Sequence, residues 1–209
     1  MNDQSSPLRK GARTRNRIVQ EAAQLLNERG YLRTSVSEIL DHVGLQKGGL
    51  YNHFDSRDAL AGEAFEYAAD LALATMEEIE RQDGSAFDRI LRLLSSYEDY
   101  EKGFPLRGGC PLLRGSVEGA GGPDWLRERA RHAIGRMVSI FERLLAEAKG
   151  EGVLRRDVDP SSEAKAIVAA LEGSVMLGGI MRSRAPTRDT SAMIKRYLEA
   201  LRDPQHNDC

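Results

Sequence analysis

The chain has 209 residues, of which 41% are hydrophobic and 30% charged, and its formal net charge is −2 at pH 7. This composition favours a globular protein with a sizeable core and argues against disorder and against a protein coated with basic residues. The sequence has neither an apolar run of about 18 residues nor an apolar stretch at its start, so we expect a cytoplasmic protein without a membrane span. Only Cys110 and Cys209 are present, which excludes a disulfide framework, and we predict no metal site and no cofactor.

The start of the chain is basic, although the whole is slightly acidic. Residues 1–60 hold nine Lys/Arg against seven Asp/Glu. We predict that residues 1–12 form a flexible basic arm that can neutralise phosphates, and a frayed, solvated terminus is an equally open interpretation. The cluster of basic residues without an intervening acid consists of Arg9, Lys10, Arg13, Arg15 and Arg17.

Apolar spacing of three and four residues predicts three helices in the next part of the chain, at about 13–29, 36–43 and 46–54. Ser35 and Glu38 form a capping box that opens the second of them. Gly44 then allows a sharp turn into the third.

Six further helices are predicted after these three. Asp55 is expected to cap the first, and Asp159 with Pro160 gives the signal of another helix start. The expected positions are about 56–80, 87–103, one short helix within 103–123, 124–150, a helix from 160, and a last helix carrying Ile194 to Leu201. The prediction is an all-α fold of about nine helices, with a three-helix headpiece at 13–58, a second helical domain at 59–204 and a disordered tail at 205–209.

The second and third helices have the arrangement of a helix-turn-helix, in which the second helix of the pair enters the major groove of DNA. A glycine turn between two short helices is by itself a weak indication of DNA binding, but the types of side chain on these helices make it more specific. Leu45, Leu50 and Phe54 can supply core contacts. Donor side chains on or just after the third helix are Lys47, Tyr51, Asn52, His53 and Arg57.

The stretch from Arg15 to Phe65 resembles the tetracycline-repressor (TetR) family. The matching elements are Ile18, Ala22, Gly30, Thr34-Ser35-Val36-Ser37-Glu38-Ile39, Val43-Gly44-Leu45, Lys47-Gly48-Gly49-Leu50-Tyr51-Asn52-His53-Phe54 and Arg57-Asp58-Ala59-Leu60. The resemblance implies a homodimeric transcriptional regulator that binds double-stranded operator DNA. Because most family members are repressors, it also implies a repressor, which a small-molecule effector of unknown identity releases from the operator.

The resemblance also implies roles for individual residues. Thr34, Ser35 and Tyr51 would bind phosphates, and Arg57 would add charge. The residues implied to approach bases or neighbouring phosphates are Ser37, Lys47, Gly48, Gly49, Asn52 and His53. The sequence departs from the family at Gly49, where a hydroxyl is common, and at Leu40, where Ala is usual.

The paired glycines, Gly48 and Gly49, weaken the third helix by roughly 1 kcal/mol each relative to Ala. We interpret them as a sign that DNA helps to order this helix. Close packing of the helix against its neighbours is the alternative.

The last two helices are the expected dimer interface, since family members pair them into a four-helix bundle; a purely intramolecular core is the alternative. The residues predicted for this interface are Ala164, Val168, Leu171, Val175, Ile194, Tyr197 and Leu201. An effector pocket is expected among helices four to eight. Its candidate lining residues are Tyr97, Tyr100, Phe104, Cys110, Leu113, Trp125, Met137, Phe141 and Met176.

Two other hypotheses stay open. Cys110 lies in a glycine-cysteine stretch that resembles one found in family members responding to electrophiles or oxidants, and Arg107 and Arg114 could lower its pKa; an inert buried thiol is the alternative. A helical enzyme that binds small molecules is a remote rival, because Gly115-Ser116 lacks the full pattern of a nucleophile elbow. We therefore predict no catalytic residues.

Overall fold

The computed structural model describes residues 7–98 and 106–204, and only the backbone of residues 7–10 and 47. Within these ranges the regular structure is helical, and one isolated bridge joins Leu154 to Arg202. The predicted all-α fold is confirmed. The helices are α1 (Pro7–Arg29), α2 (Val36–Val43), α3 (Lys47–Tyr51), α4 (Arg57–Glu80), α5 (Ala86–Glu98), α6 (Pro111–Ala120), α7 (Asp124–Gly150), α8 (Pro160–Met181) and α9 (Ala185–Ala200).

These helices form two compact units. The first contains residues 7–70 and 106–130, and the second contains 71–98 and 131–204. This division differs from the boundary predicted at residue 58, because α6 and the start of α7 join the N-terminal helices. The unit that carries the helix-turn-helix is therefore discontinuous in sequence.

The first unit is built on the buried face of α1. Ile18, Ala22 and Leu26, which the apolar spacing placed on one face, are fully buried. Tyr31, just after α1, packs edge-on against Phe65 of α4 with ring centroids 5.3 Å apart. Because α1 begins at Pro7, residues 7–12 of the predicted flexible arm are helical, and residues 1–6 of it lie outside the described residues.

The caps confirm most of the predicted helix ends. The Ser35 hydroxyl oxygen accepts from the Glu38 amide, and the Glu38 carboxylate accepts from the Ser35 amide, so the capping box is present. Gly44 ends α2 in the left-handed conformation, with φ +68°. The cap predicted for α4 was wrong by one residue: α4 begins at Arg57, and Ser56 accepts the Ala59 amide at 3.0 Å.

The second unit packs α5, α8 and α9 together with the parts of α4 and α7 that belong to it. Its core includes Leu73, Ile90 and Phe141. Asp159 accepts the Ser161 amide at 3.2 Å, which confirms the predicted start of α8. In the described part of the chain, α8 is long and apolar enough to cross a membrane, but core helices of globular proteins meet the same criterion, and 44% of its most apolar window is buried.

Candidate nucleic-acid interface

Apolar side chains brace α2 and α3 in the first unit. Ile39 and Val43 of α2 and Leu50 of α3 are buried, and Phe54 after α3 is buried with them. The Leu45 amide donates to the Leu40 carbonyl at 3.0 Å and closes the turn after Gly44. This pair of helices has the helix-turn-helix arrangement predicted from the sequence.

The opposite side of this pair is polar and faces solvent. Ser35 and Ser37 at the start of α2 are exposed, and so is Asn52 directly after α3. Tyr51 is 43% exposed. His53 is half-buried, its ring centroid 6.5 Å from that of Phe54. The donors of Ser37, Tyr51, Asn52 and His53 can meet phosphates or base edges, whereas the hydroxyl and the amide of Ser35 both donate to the Glu38 carboxylate, at 2.8 Å each, so the phosphate contact implied for Ser35 is corrected.

Helix α3 is shorter than predicted, since it ends at Tyr51 rather than near Phe54. Gln46 caps it without a side-chain hydrogen bond, and two of its five residues are glycine, so little local stabilisation is present. A Cβ atom at Gly48 would meet nothing within 4 Å, and one at Gly49 only Leu45 Cδ2 at 3.8 Å. Close packing therefore does not explain the glycines.

Two residues expected at the DNA backbone are engaged inside the protein. The Thr34 side chain is 3% exposed, and its hydroxyl donates to the Gly30 carbonyl at 2.7 Å. Arg57 donates to the carbonyls of Tyr31 and Thr34, the latter at 3.0 Å. The roles implied for the Thr34 hydroxyl and the Arg57 charge are corrected accordingly: both groups hold the turn between α1 and α2.

Arg15 joins α1 to α4 and to Phe54, which follows α3. Its guanidinium makes a bidentate ion pair with Glu63, at 2.5 and 2.6 Å, and lies 4.6 Å from the centre of the Phe54 ring. The hydrogen bonds that Arg15 donates to the Glu63 carboxylate are the largest cause of the raised pKa of Arg15. This basic residue is therefore a structural tie rather than part of a phosphate-binding arm.

Sequence profiles of known families match both parts of the chain. Residues 18–64 match the bacterial regulatory proteins of the tetR family, and residues 86–194 match the tetracyclin repressor-like C-terminal domain. The chain belongs to the TetR family.

Individual relatives agree with this assignment. An uncharacterized HTH-type transcriptional regulator of Mycobacterium tuberculosis is 30% identical over 82% of this chain and 87% of its own length. The HTH-type transcriptional repressor DhaR of a Mycobacterium species is 28% identical over 82% of this chain and 85% of its own. A TetR transcriptional regulator from Chloroflexus aurantiacus superposes with a TM-score of 0.88, at 34% identity, over 93% of this chain and 98% of its own. The protein is therefore a TetR-family DNA-binding transcriptional regulator, and the relatives are regulators rather than enzymes.

A segment of this TetR-family protein for which the sequence predicts only one short helix between loops contacts the N-terminal helices within the first unit. We call residues 106–122, which include α6, the docking segment. The Asn27 side-chain amide of α1 donates to the carbonyls of Arg107 at 2.8 Å and Gly109 at 3.0 Å. The Leu32 amide donates to the Glu118 carboxylate at 2.9 Å. Two features of the sequence could have indicated this contact: Asn27 among the apolar residues of α1, and the glycine-rich composition of residues 106–122.

The residues predicted for the effector pocket fall in both units. Cys110, Leu113 and Trp125 belong to the first unit, and Tyr97, Met137 and Phe141 are buried in the second. The Tyr97 hydroxyl lies 3.6 Å from the Met137 sulfur and 3.7 Å from that of Met76. Met176, which the sequence analysis placed at this pocket, is 47% exposed on α8. Tyr100 and Phe104 lie outside the described residues.

Cys110 stands directly before α6 and is 5% exposed. Arg114, which was expected to lower the pKa of its thiol, donates to the Gly108 carbonyl at 3.2 Å and lies 3.8 Å from Glu118. Burial limits the access of oxidants and electrophiles to the thiol. The geometry thus favours the inert alternative over a redox role.

Six of the seven residues predicted for the dimer interface belong to the core of one chain. Ala164, Val168, Leu171, Val175, Ile194 and Leu201 are all buried, and only Tyr197 is exposed. The apolar spacing was correct, but it marked the face that packs inside the unit. Other large apolar side chains of α8 and α9 are exposed. We call them, together with Tyr197, the apolar face: Met176, Leu177, Ile180, Met181, Met193 and Tyr197.

A polar groove of about 370 Å³ lies in the second unit between residues of α4 and α7. Ion pairs join Arg136 to Glu77 at 2.6 Å, and Arg143 at its edge to Glu80 at 2.7 Å. Its lining residues are Glu77, Arg131, His132, Gly135, Arg136, Ser139, Ile140 and Arg143, and the predicted effector residues are not among them.

Proposed function

We propose that two copies of this chain bind a near-palindromic operator, with α3 of each copy in the major groove and the start of α2 at the phosphates. The observation that carries the proposal is the exposed polar side of a helix pair whose other side is buried. In such pairs the N-terminal residues of the second helix reach base edges. Ser37, Lys47, Gly49, Asn52 and His53 are the proposed base-reading positions, and Tyr51 is the proposed phosphate contact of α3.

Truncation of the donors on α3 tests this proposal. A variant with Lys47, Tyr51 and His53 changed to Ala should lose specific binding to the promoter DNA upstream of its own gene, measured by fluorescence anisotropy at two salt concentrations. Each good base contact contributes about 1–3 kcal/mol of discrimination. A matched variant in the second unit, with Lys165 and His132 changed to Ala, should bind normally. Wild-type binding by the triple variant would refute the proposal.

The apolar face is the proposed contact between the two copies. A single headpiece offers too little surface for specific binding, so an operator with two half-sites about 34–36 Å apart requires a dimer. Contiguous exposed apolar side chains mark protein interfaces. Ile180, at 76% exposure, together with Met176 and Leu177, gives α8 such a surface.

A charge on the apolar face should separate the copies. Ile180→Asp is expected to run as a monomer in light scattering at micromolar concentration, because a dimer would bury the new carboxylate without a partner. Val117→Asp is the matched control, since Val117 of α6 is also a large exposed apolar residue, at 67%. Dimers of the Ile180 variant as stable as those of the control would contradict the assignment.

We propose further that the regulator acts in the cytoplasm as a repressor, and that a small-molecule effector lowers its operator affinity. The Tyr97 side chain between two methionine sulfurs gives the second unit the soft aromatic interior typical of ligand sites. By linkage, an effector must bind more weakly to the DNA-bound protein than to the free protein. Co-purified compounds, identified by native mass spectrometry and returned to the operator complex, test this directly.

A further inference from the structure

The docking segment contacts α1 and α4 of the same unit closely at two of its glycines. A Cβ atom at Gly108 would lie 2.2 Å from the Asn27 carbonyl oxygen, and one at Gly115 would lie 2.2 Å from Cε2 of Phe65. Gly108 also has a φ of +101°, which favours glycine. Asn27, fully buried, fixes the same contact through its two hydrogen bonds. The segment is thus seated in one register on α1 and α4.

Glu118 of the docking segment holds the turn between α1 and α2. Its carboxylate accepts from the Leu32 amide, across 86 positions in sequence, and its side chain is 18% exposed. Gly30 approaches the same carboxylate, since a Cβ atom there would lie 3.2 Å from Glu118 Oε1. The Glu118 carboxylate therefore lies against the turn at the residues before and after Tyr31, which are Gly30 and Leu32.

Arg57 holds the other side of this turn. It donates to the carbonyls of Tyr31 and Thr34, while Glu118 accepts the Leu32 amide between them. The next residue, Ser35, is the N-cap of α2. The position of the α2 N-terminus is thus set by one cation from α4 and one anion from α6.

We infer that Glu118 is a positioning residue for DNA binding, an inference that rests on the proposed function. It does not touch DNA; it keeps the turn of residues 30–35 in the conformation that presents the first amides of α2. When only a fraction of molecules holds the binding-competent conformation, the apparent dissociation constant rises by the inverse of that fraction. Loss of one hydrogen bond to a carboxylate would lower that fraction several-fold.

Three full-length variants test this role. Glu118→Ala removes the acceptor, Glu118→Gln keeps an acceptor oxygen for the Leu32 amide, and Glu128→Ala is the control, an exposed carboxylate of α7 in the same unit. We expect Glu118→Ala to weaken operator binding by about 3- to 10-fold in anisotropy titrations. Glu118→Gln should recover most of the affinity, and Glu128→Ala should match wild type.

Amide hydrogen exchange separates positioning from general stability. Glu118→Ala should speed exchange at Leu32 and at the first amides of α2, while exchange in α8 stays unchanged. Wild-type affinity and unchanged Leu32 exchange in Glu118→Ala would overturn the inference and leave the proposed function intact. A loss of affinity with equal acceleration across both units would overturn it as well. Failure of the wild-type protein to bind any specific DNA would instead refute the proposed function, and Leu32 exchange would still report on Glu118.

Discussion

Replacing Gly48 by alanine should stabilise α3. Gly48 lies inside the helix with a negative φ, and a Cβ atom there would meet nothing within 4 Å. The substitution therefore adds no clash, and it removes the entropy cost of glycine, about 0.5–1 kcal/mol. Most of this gain should appear locally, because α3 has five residues and lacks a side-chain cap.

Hydrogen exchange measures this gain where it arises. The Asn52 amide donates to the Gly48 carbonyl at 3.2 Å, and the Leu50 amide donates to the Gln46 carbonyl at 3.4 Å. Protection of these two amides should rise by about two- to fivefold in Gly48→Ala, the factor that corresponds to 0.5–1 kcal/mol. Differential scanning calorimetry should show a Tm increase of no more than about 4 °C.

Gly44→Ala is the matched control with the opposite sign. A Cβ atom at Gly44 also meets nothing within 4 Å, but Gly44 has a φ of +68°, where an L side chain costs about 1–2 kcal/mol. The two variants thus differ in backbone conformation and not in available space. If Gly48→Ala leaves Asn52 protection unchanged, or if Gly44→Ala stabilises the protein, the reasoning from helix propensity fails.

Two more predictions concern the packing of each unit. Gly115→Ala should lower the free energy of unfolding by about 1–3 kcal/mol in urea titrations, because its Cβ would lie 2.2 Å from the buried Phe65 ring; a neutral effect would show that the ring can move aside. The Lys195 ammonium lies 2.6 Å from the Glu98 carboxylate, and its hydrogen bond is the largest cause of the lowered pKa of Glu98. The ion pair therefore stabilises the fold at pH values above the ordinary glutamate pKa of about 4.3. This stabilisation is lost as the pH falls through the lower pKa that Glu98 has in the folded protein. Glu98→Gln should accordingly cost less than about 1 kcal/mol at pH 7, since the pair is partly exposed, and this cost should shrink as the pH falls through the lowered folded pKa of Glu98; a cost that does not fall with pH would contradict this.

Local signals in the sequence were sufficient for the fold. The Ser35–Glu38 capping box and the Asp159–Pro160 start involve atoms within three residues of one another, so their residue types determine the geometry. The helix-turn-helix was predicted in the same local way, from two short helices joined by the turn at Gly44 and from the donor side chains on the second of them.

Distant contacts could not be predicted so well. Periodicity identifies a buried face but not its partner, and α8 is apolar on two sides, so Val168 and Leu171 were assigned to a second copy although they pack inside one chain. Thr34 and Arg57 are polar and lie in the matching motif, yet their partners are backbone carbonyls that no motif specifies. The contact of Asn27 with Arg107 spans 80 positions and leaves no local pattern.

The discontinuity of the first unit also matters during biosynthesis. Asn27 leaves the ribosome 80 residues before its acceptor Arg107, an interval of about 4–16 s at ordinary translation rates. Over that interval the nascent N-terminal helices lack α6. They also lack the carbonyls that accept the Asn27 side-chain amide and the Glu118 carboxylate that accepts the Leu32 amide. A chain interrupted before residue 106 would contain the whole helix-turn-helix and still lack residues 106–130, which pack with it in the first unit.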